Sequence, residues 1–219
     1  MCLELVAVNN TKMNGSQIRL LPKLQTFVDA LDLSSVEEER KPVLQPLIGY
    51  IQNKKNNGRE INLNFICTHN SRRSQLAQVW GKVAASYYGL EINSFSGGVE
   101  VTAFNKRAVE CLKRAGFEIE KEGDENPIYS VYFAEKEGAL NTFSKVYDDH
   151  ENSSDKFAAI MTCSHADENC PFISGAEVRL PVRYEDPKAF DDSPQEADKY
   201  DERSRQIATE MFYVFLKVN

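Results

Sequence analysis

The chain has 219 residues, 42% of them hydrophobic and 27% charged, with a net charge of -7, which describes a globular protein of one sizeable domain with room for an added segment. The acidic balance argues against a nucleic-acid surface, no stretch is apolar and long enough to span a bilayer, and Met1 to Asn10 lacks the pattern of a secretory signal. Five cysteines, an odd number without an export signal, point to free thiols in a reducing cytoplasm rather than to structural disulfides.

Residues 16–57 read as a helical extension. Ile18, Leu21, Leu24, Val28 and Leu31 recur at helical spacing, with Pro22 marking a start, and Val43, Leu44, Leu47, Ile48 and Ile51 form a second apolar stripe. Lys54 to Gly58 is a loop. The extension is bounded at 1–58, its apolar stripes suited to cover one face of the main domain or a partner, packing on the domain being the plainer reading, and 59–219 is the catalytic domain.

From Glu60 strand and helix patterns alternate. Ile61, Leu63 and Phe65 alternate with Asn62 and Asn64. Ser74 to Tyr88 is helical, with Trp80 in its packing face and Gly89 as its cap. Glu91 to Phe95 is a short strand that ends at Gly97 and Gly98. Phe104 to Ala115 is a helix with Ala108, Cys111, Leu112 and Ala115 on its buried face and Gly116 as its stop. Ile128 to Phe133 and Thr142 to Tyr147 read as a β-hairpin inserted at about 126–155. His150 lies in the polar loop that follows. Phe157 to Thr162 is a buried strand ending at Cys163, Val178 to Val182 is another strand, and about Pro194 to Leu216 is the last helix, with Ile207, Met211, Val214 and Phe215 inward. This order predicts an α/β fold: a central parallel sheet with helices on both faces.

Chemistry concentrates between the first strand and the first helix of that domain, at Cys67-Thr68-His69-Asn70-Ser71-Arg72-Arg73-Ser74. Loops at the carboxyl end of a parallel sheet are where ligands bind. Amides at a helix start lack helical partners and, with the helix dipole, attract anions. Arg73 supplies a planar fork for a tetrahedral oxyanion. The same field favours an ionised, nucleophilic sulfur at Cys67. Ser74 can offer its hydroxyl to that sulfur or cap the helix, and Asn70 tolerates the left-handed backbone that a tight loop demands. The oxyanion-binding set is thus Thr68, His69, Asn70, Ser71, Arg72, Arg73 and Ser74.

Two later segments join this site. Cys163 ends a strand as Cys67 does, and Cys163 and Cys170 flank Ser-His-Ala-Asp-Glu-Asn, a polar segment of mobile character. Two thiols beside a reactive thiolate can pass a disulfide outward by exchange. Ordinary buried thiols are the plainer alternative. A zinc site with His165 is another, but it lacks an evident fourth ligand, so no metal is assigned. Asp186, ahead of Pro187, is placed to protonate a leaving oxygen. Asp191 and Asp192 read as a solvated helix start.

The stretch Phe65-Ile-Cys67-Thr-His-Asn-Ser-Arg-Arg73-Ser74-Gln75 resembles the loop of the low-molecular-weight phosphotyrosine phosphatase superfamily, and more closely its thioredoxin-coupled arsenate reductase branch, in which the loop ends Arg-Ser-Gln. Cys163 to Pro171 resembles that branch's redox-cysteine segment, Asp186-Pro187 falls at its general-acid position, and Ser94-Phe-Ser96-Gly-Gly98 resembles its second-strand motif. The resemblance runs from about Glu60 to the C-terminus. Gln78 stands where the reductases often have a glutamate that helps hold potassium, and Arg72 where some members have cysteine. Lys188 stands where the phosphatases usually place a tyrosine.

The resemblance implies thiol-dependent reduction of arsenate to arsenite. Cys67 forms the oxyanion adduct, Asp186 is the acid, Cys163 and Cys170 carry the disulfide relay, no cofactor is bound, and a thioredoxin-like protein supplies electrons. The alternative is hydrolysis of phosphomonoesters, phosphotyrosine included, through a cysteinyl-phosphate on Cys67. A third reading is a non-catalytic oxyanion sensor whose extension and hairpin bind a protein partner.

Overall fold

The computed structural model describes residues 18–153, 155–169 and 172–218. Cys2, Cys170, Pro171 and the beginning of the predicted extension, through residue 17, lie outside them.

The first helix, α1 (Pro22–Asp29), starts at a proline whose fixed φ suits a first helical turn, and it turns Leu24 and Val28 inward. α2 (Arg40–Asn56) buries Leu44, Leu47, Ile48 and Ile51. β1 (Asn62–Cys67) is buried along its whole length, as a central strand must be. α3 (Arg73–Tyr87), β2 (Asn93–Gly98) and α4 (Lys106–Ala115) follow. The Asn105 side chain caps the start of α4, and Gly116, at φ 110, closes its end. After an inserted sheet come β6 (Phe157–Met161), α5 (Ser164–Asn169), β7 (Ala176–Pro181), a 3₁₀ turn at Pro187–Phe190 and α6 (Glu196–Leu216).

The central sheet has the order β2-β1-β6-β7, with every pair parallel, as the strand–helix alternation predicts. Its faces are unequal. Leu63 and Phe65 of β1 and Ala158 and Ile160 of β6 enter a large core with the buried residues of α1 to α4 and α6. Ile66, Cys67, Phe157, Ala159 and Met161 enter a smaller cluster with Cys163, Ala166 of α5 and Ile173. Helices therefore stand on both faces, five of those named on one and the short α5 on the other. Cys67 ends β1 beside β6, where Ile66 pairs with Met161, so the chain brings Cys163 to the same end of the same sheet.

The inserted hairpin is present and enlarged. β4 (Ile128–Tyr132) pairs antiparallel with β5 (Leu140–Thr142), and β3 (Glu118–Glu122) adds a third strand on the other side of β4. Four of the five residues of β3 are charged glutamate or lysine, so backbone pairing with β4 rather than an apolar pattern makes it a strand. The second hairpin strand is shorter than Thr142 to Tyr147. Beyond Thr142 the chain leaves β4 and runs parallel to the edge of β2: Gly98 N–H donates to Lys145 O at 2.8 Å and Tyr147 N–H to Gly98 O at 2.9 Å. The unpaired edge of β2, rich in hydrogen-bonding groups, takes this segment away from the hairpin.

Candidate active site

Asn70 holds the loop after β1. It sits at φ 44, a backbone setting that asparagine accepts better than most residues. Its side-chain Nδ2 donates to Ser74 Oγ at 2.9 Å, and its Oδ1 accepts from the Lys145 N–H at 2.9 Å and from Gln75 Nε2 at 3.1 Å. The other loop groups are tied outward. Ser71 Oγ donates to Ala103 O, the hydroxyls of Thr102 and Ser144 donate to His69 O, and Thr68 O accepts the amides of Val99 and Glu100. The His69 ring lies 3.5 Å from Glu100. None of the amides of Thr68 to Arg73 donates to another described residue. The result is a cup of unpaired N–H groups. Gly98 closes its floor: a Cβ there would stand 2.8 Å from Asn70 N and 2.9 Å from Thr68 O, so only glycine lets β2 approach.

Cys67 opens into this cup. It is 4% exposed, and its sulfur lies 3.0 Å from Ser74 Oγ. Asn70 donates into that oxygen, and the serine hydrogen is free to point at the sulfur. Of the two roles open to Ser74, the structure gives it the contact with sulfur; no side-chain cap of α3 is formed.

Arg73 and Asp186 meet at the rim. Arg73 Nη2 donates to Asp186 Oδ2 at 2.7 Å, and Nη1 donates to Tyr184 O at 3.0 Å. Arg73 Nε is buried with no hydrogen-bond partner among the described residues. Arg72 Nε donates to Asp186 Oδ1 at 2.9 Å, and the same oxygen caps the 3₁₀ turn by accepting from Lys188 N–H at 3.1 Å. Burial pushes the Asp186 carboxyl up, but Arg73 and then Arg72 outweigh it and hold the group below the usual carboxylate range.

Cys163 adjoins the cup from the neighbouring strand. It is a free thiol, 1% exposed, in the same apolar cluster as Cys67. Thr68 Oγ1, one residue from Cys67, lies 3.5 Å from Cys163 Sγ and 3.2 Å from His165 Nδ1. Ala166 N–H donates to Cys163 Sγ at 3.3 Å. The segment expected to be loose is instead the helix α5, fastened where Asp167 accepts from Arg183 and pairs with Arg179. Cys170, the remaining predicted relay residue, lies outside the described residues.

Several contributors escape the sequence. Gln75 Nε2 clasps Asn70 O and Phe143 O at 3.0 and 2.8 Å; its place in Arg-Ser-Gln was its only signal. Arg72 acts as a second clamp on Asp186. Asp191 and Asp192 are not simply solvated: both pair with Arg107, and Tyr200 donates to Asp191 at 2.8 Å. Lys145, 4% exposed, sits beside the loop with its ammonium 4.4 Å from the Phe143 ring. Burial pushes that ammonium down to about 8, against the pull of Asp149 and Glu151.

At the glutamate position of the potassium site that the reductase resemblance implies, this chain has Gln78. Gln78 is neutral, its Oε1 accepts from Ser96 Oγ at 2.6 Å and its Nε2 donates to Ser94 O at 3.0 Å. Asn70 Oδ1 is filled by two N–H donors. Nearby, Asn64 Oδ1, Gln75 Oε1 and Asn152 Oδ1 are buried with no hydrogen-bond partner among the described residues.

No family model matches the chain. An arsenate reductase of Brevibacillus brevis is 32% identical over 123 residues, covering 56% of this chain and 74% of that protein. An arsenate reductase of Staphylococcus epidermidis is 30% identical over 123 residues, 56% of this chain and 76% of that one. Among solved structures, a low molecular weight protein tyrosine phosphatase from T. tengcongensis aligns with 72% of this chain and 99% of its own at a TM-score of 0.47 and 16% identity. The sequence identity decides the assignment: the chain belongs to the arsenate reductase family of enzymes.

Proposed function

We propose that the protein reduces arsenate to arsenite through a cysteine adduct and a disulfide relay. The observation that supports this reading best is a second free thiol, Cys163, one hydroxyl away from the loop that carries the nucleophile. Ester hydrolysis needs no such thiol.

Arsenate enters the cup and is held by the amides of Thr68 to Arg73 and by the guanidinium of Arg73. Cys67 attacks arsenic, and Asp186 gives a proton to the departing oxygen, which leaves as water. The Cys163 thiolate then attacks Cys67 sulfur. An S–S bond forms, the S–As bond breaks with its electron pair going to arsenic, and arsenic(V) becomes arsenic(III). Cys170 next attacks Cys163, Cys67 departs as thiolate, and the disulfide stands at Cys163–Cys170. A thioredoxin-like dithiol in a reducing compartment takes that disulfide over by exchange.

The test is arsenite formation with a thioredoxin and its reductase. Cys163→Ser should abolish it, while aryl phosphate cleavage, which needs only Cys67, Arg73 and Asp186, persists. Arsenite turnover that survives the loss of both Cys163 and Cys170 would sink the relay.

A further inference from the structure

We propose that His165, acting through the Thr68 hydroxyl, removes the proton from Cys163 and so arms the second thiol of the relay; this rests on the arsenate reading above. Cys163 Sγ, Thr68 Oγ1 and His165 Nδ1 form one continuous row, with spacings of 3.5 and 3.2 Å. A hydroxyl accepts and donates at once, so it can take a proton from one neighbour while giving its own to the other. The sulfur is 1% exposed, which denies it solvent as a base. His165 is exposed, so the proton can pass from its ring to water. The Ala166 amide at 3.3 Å receives the charge left on the sulfur.

The transfer balances. The Cys163 S–H proton goes to Thr68 Oγ1, the Thr68 hydroxyl proton goes to His165 Nδ1, and the ring becomes a cation. The Cys163 thiolate then attacks Cys67 sulfur in the arsenic adduct, and the two electrons of the S–As bond reduce arsenic. The charged and titratable groups at this corner are Cys67 on β1, Cys163 itself, Asp167 and Glu168 on α5, and Arg179 and Arg183 from β7 and beyond. The two arginines pair with Asp167, and Arg183 also reaches Glu168, so the strongest nearby carboxylate is already neutralised. His165 is a positioning residue for the proton, since it reaches the reacting sulfur only through Thr68.

The experiment uses the full chain carrying Cys170→Ser, which stops the relay at the Cys67–Cys163 disulfide. Arsenate is mixed rapidly with the reduced protein, and the disulfide is counted by acid quench and mass spectrometry across pH. With His165 present the rate should rise through an acid limb. His165→Ala should slow it by about 10²-fold or more, the scale of general-base assistance, flatten that limb, and be rescued by added imidazole. A disulfide that forms equally fast with His165→Ala at every pH overturns the proposal. A uniform slowing without imidazole rescue also overturns it, by giving His165 a merely structural role. If no disulfide forms even with His165 intact, the arsenate relay itself fails, and this proposal with it.

Discussion

A carboxylate shared between two guanidiniums holds no proton to give at neutral pH, so Asp186 can serve as an acid only when one partner turns elsewhere. Arg73 is the partner with another task, because an oxyanion in the cup competes for the same fork. Arg72 gives its Nε to Asp186 Oδ1, so a cation would stay beside the carboxylate when Arg73 turns to the oxyanion. Arg72→Gln keeps the loop amide and removes one cation. We expect the alkaline limb of kcat to move to higher pH in that variant, read from a pH profile of adduct formation. Lys145 offers a second measurement at this scale. Its ordinary value is 10.5, and burial brings it to about 8. Below pH 8 both folded and unfolded chains carry the charge, and the burial cost is full. Between 8 and 10.5 the unfolded chain binds a proton that the fold has released, so stability gained from this group rises with pH. Denaturant titrations should show wild type gaining on Lys145→Met by about 3 kcal/mol across that window. Parallel curves would place the ammonium in solvent.

The segment after β5 shows how one element can serve two sheets. It leaves the inserted hairpin, joins the edge of β2 at Gly98, and on the way delivers Phe143 O, the Ser144 hydroxyl and the Lys145 amide to the loop. The insertion is thereby a buttress of the anion cup. Because the Lys145 N–H and Gln75 Nε2 fill Asn70 Oδ1 and Gln78 is neutral, the loop should not depend on a monovalent cation. A bound cation adds stability that grows with its concentration, and replacing potassium chloride by choline chloride at fixed ionic strength should leave Tm unchanged. A Tm that climbs with potassium would show that the cation has a place after all. Much of this level was legible in the residues. Strand, cysteine, loop and helix are contiguous from Ile61 to Tyr87, and local patterning with glycine and proline stops suffices there. β3 was not legible, since Glu118 to Glu122 carries one apolar residue, Ile119. Nor was the crossing of 143–147 to β2, because a strand pattern states that a segment will pair and leaves its partner unspecified. The clamp of Arg72 on Asp186 spans 114 residues, beyond the reach of any local rule.

Across the molecule, the helices ahead of Gly58 share one core with the catalytic sheet. Leu24, Leu44, Leu47 and Ile51 are fully buried in the cluster that contains Leu63, Phe65 and Trp80. Phe27 stacks on Trp80 at 5.2 Å, and Arg40 grips buried Glu210 through Nε at 2.9 Å and Nη2 at 2.6 Å. Leu47→Ala should therefore cost about 2–5 kcal/mol in chemical denaturation, the range for a leucine removed from a packed interior. A loss of a few tenths would mean that the extension merely rests on the domain. The apolar stripes of α1 and α2 were visible as helical spacing, whereas their docking partners, α4 for α1 and chiefly α6 for α2, lie far along the sequence. The span of the fastenings has a consequence for synthesis. Asn70 waits for residue 145, Arg73 for residue 186 and Arg40 for residue 210. On the proposed mechanism, a nascent chain still on the ribosome at residue 140 carries Cys67 but neither the Lys145 strut that shapes the loop nor the Asp186 carboxylate. An incomplete chain should therefore lack the reactivity that the full fold would confer.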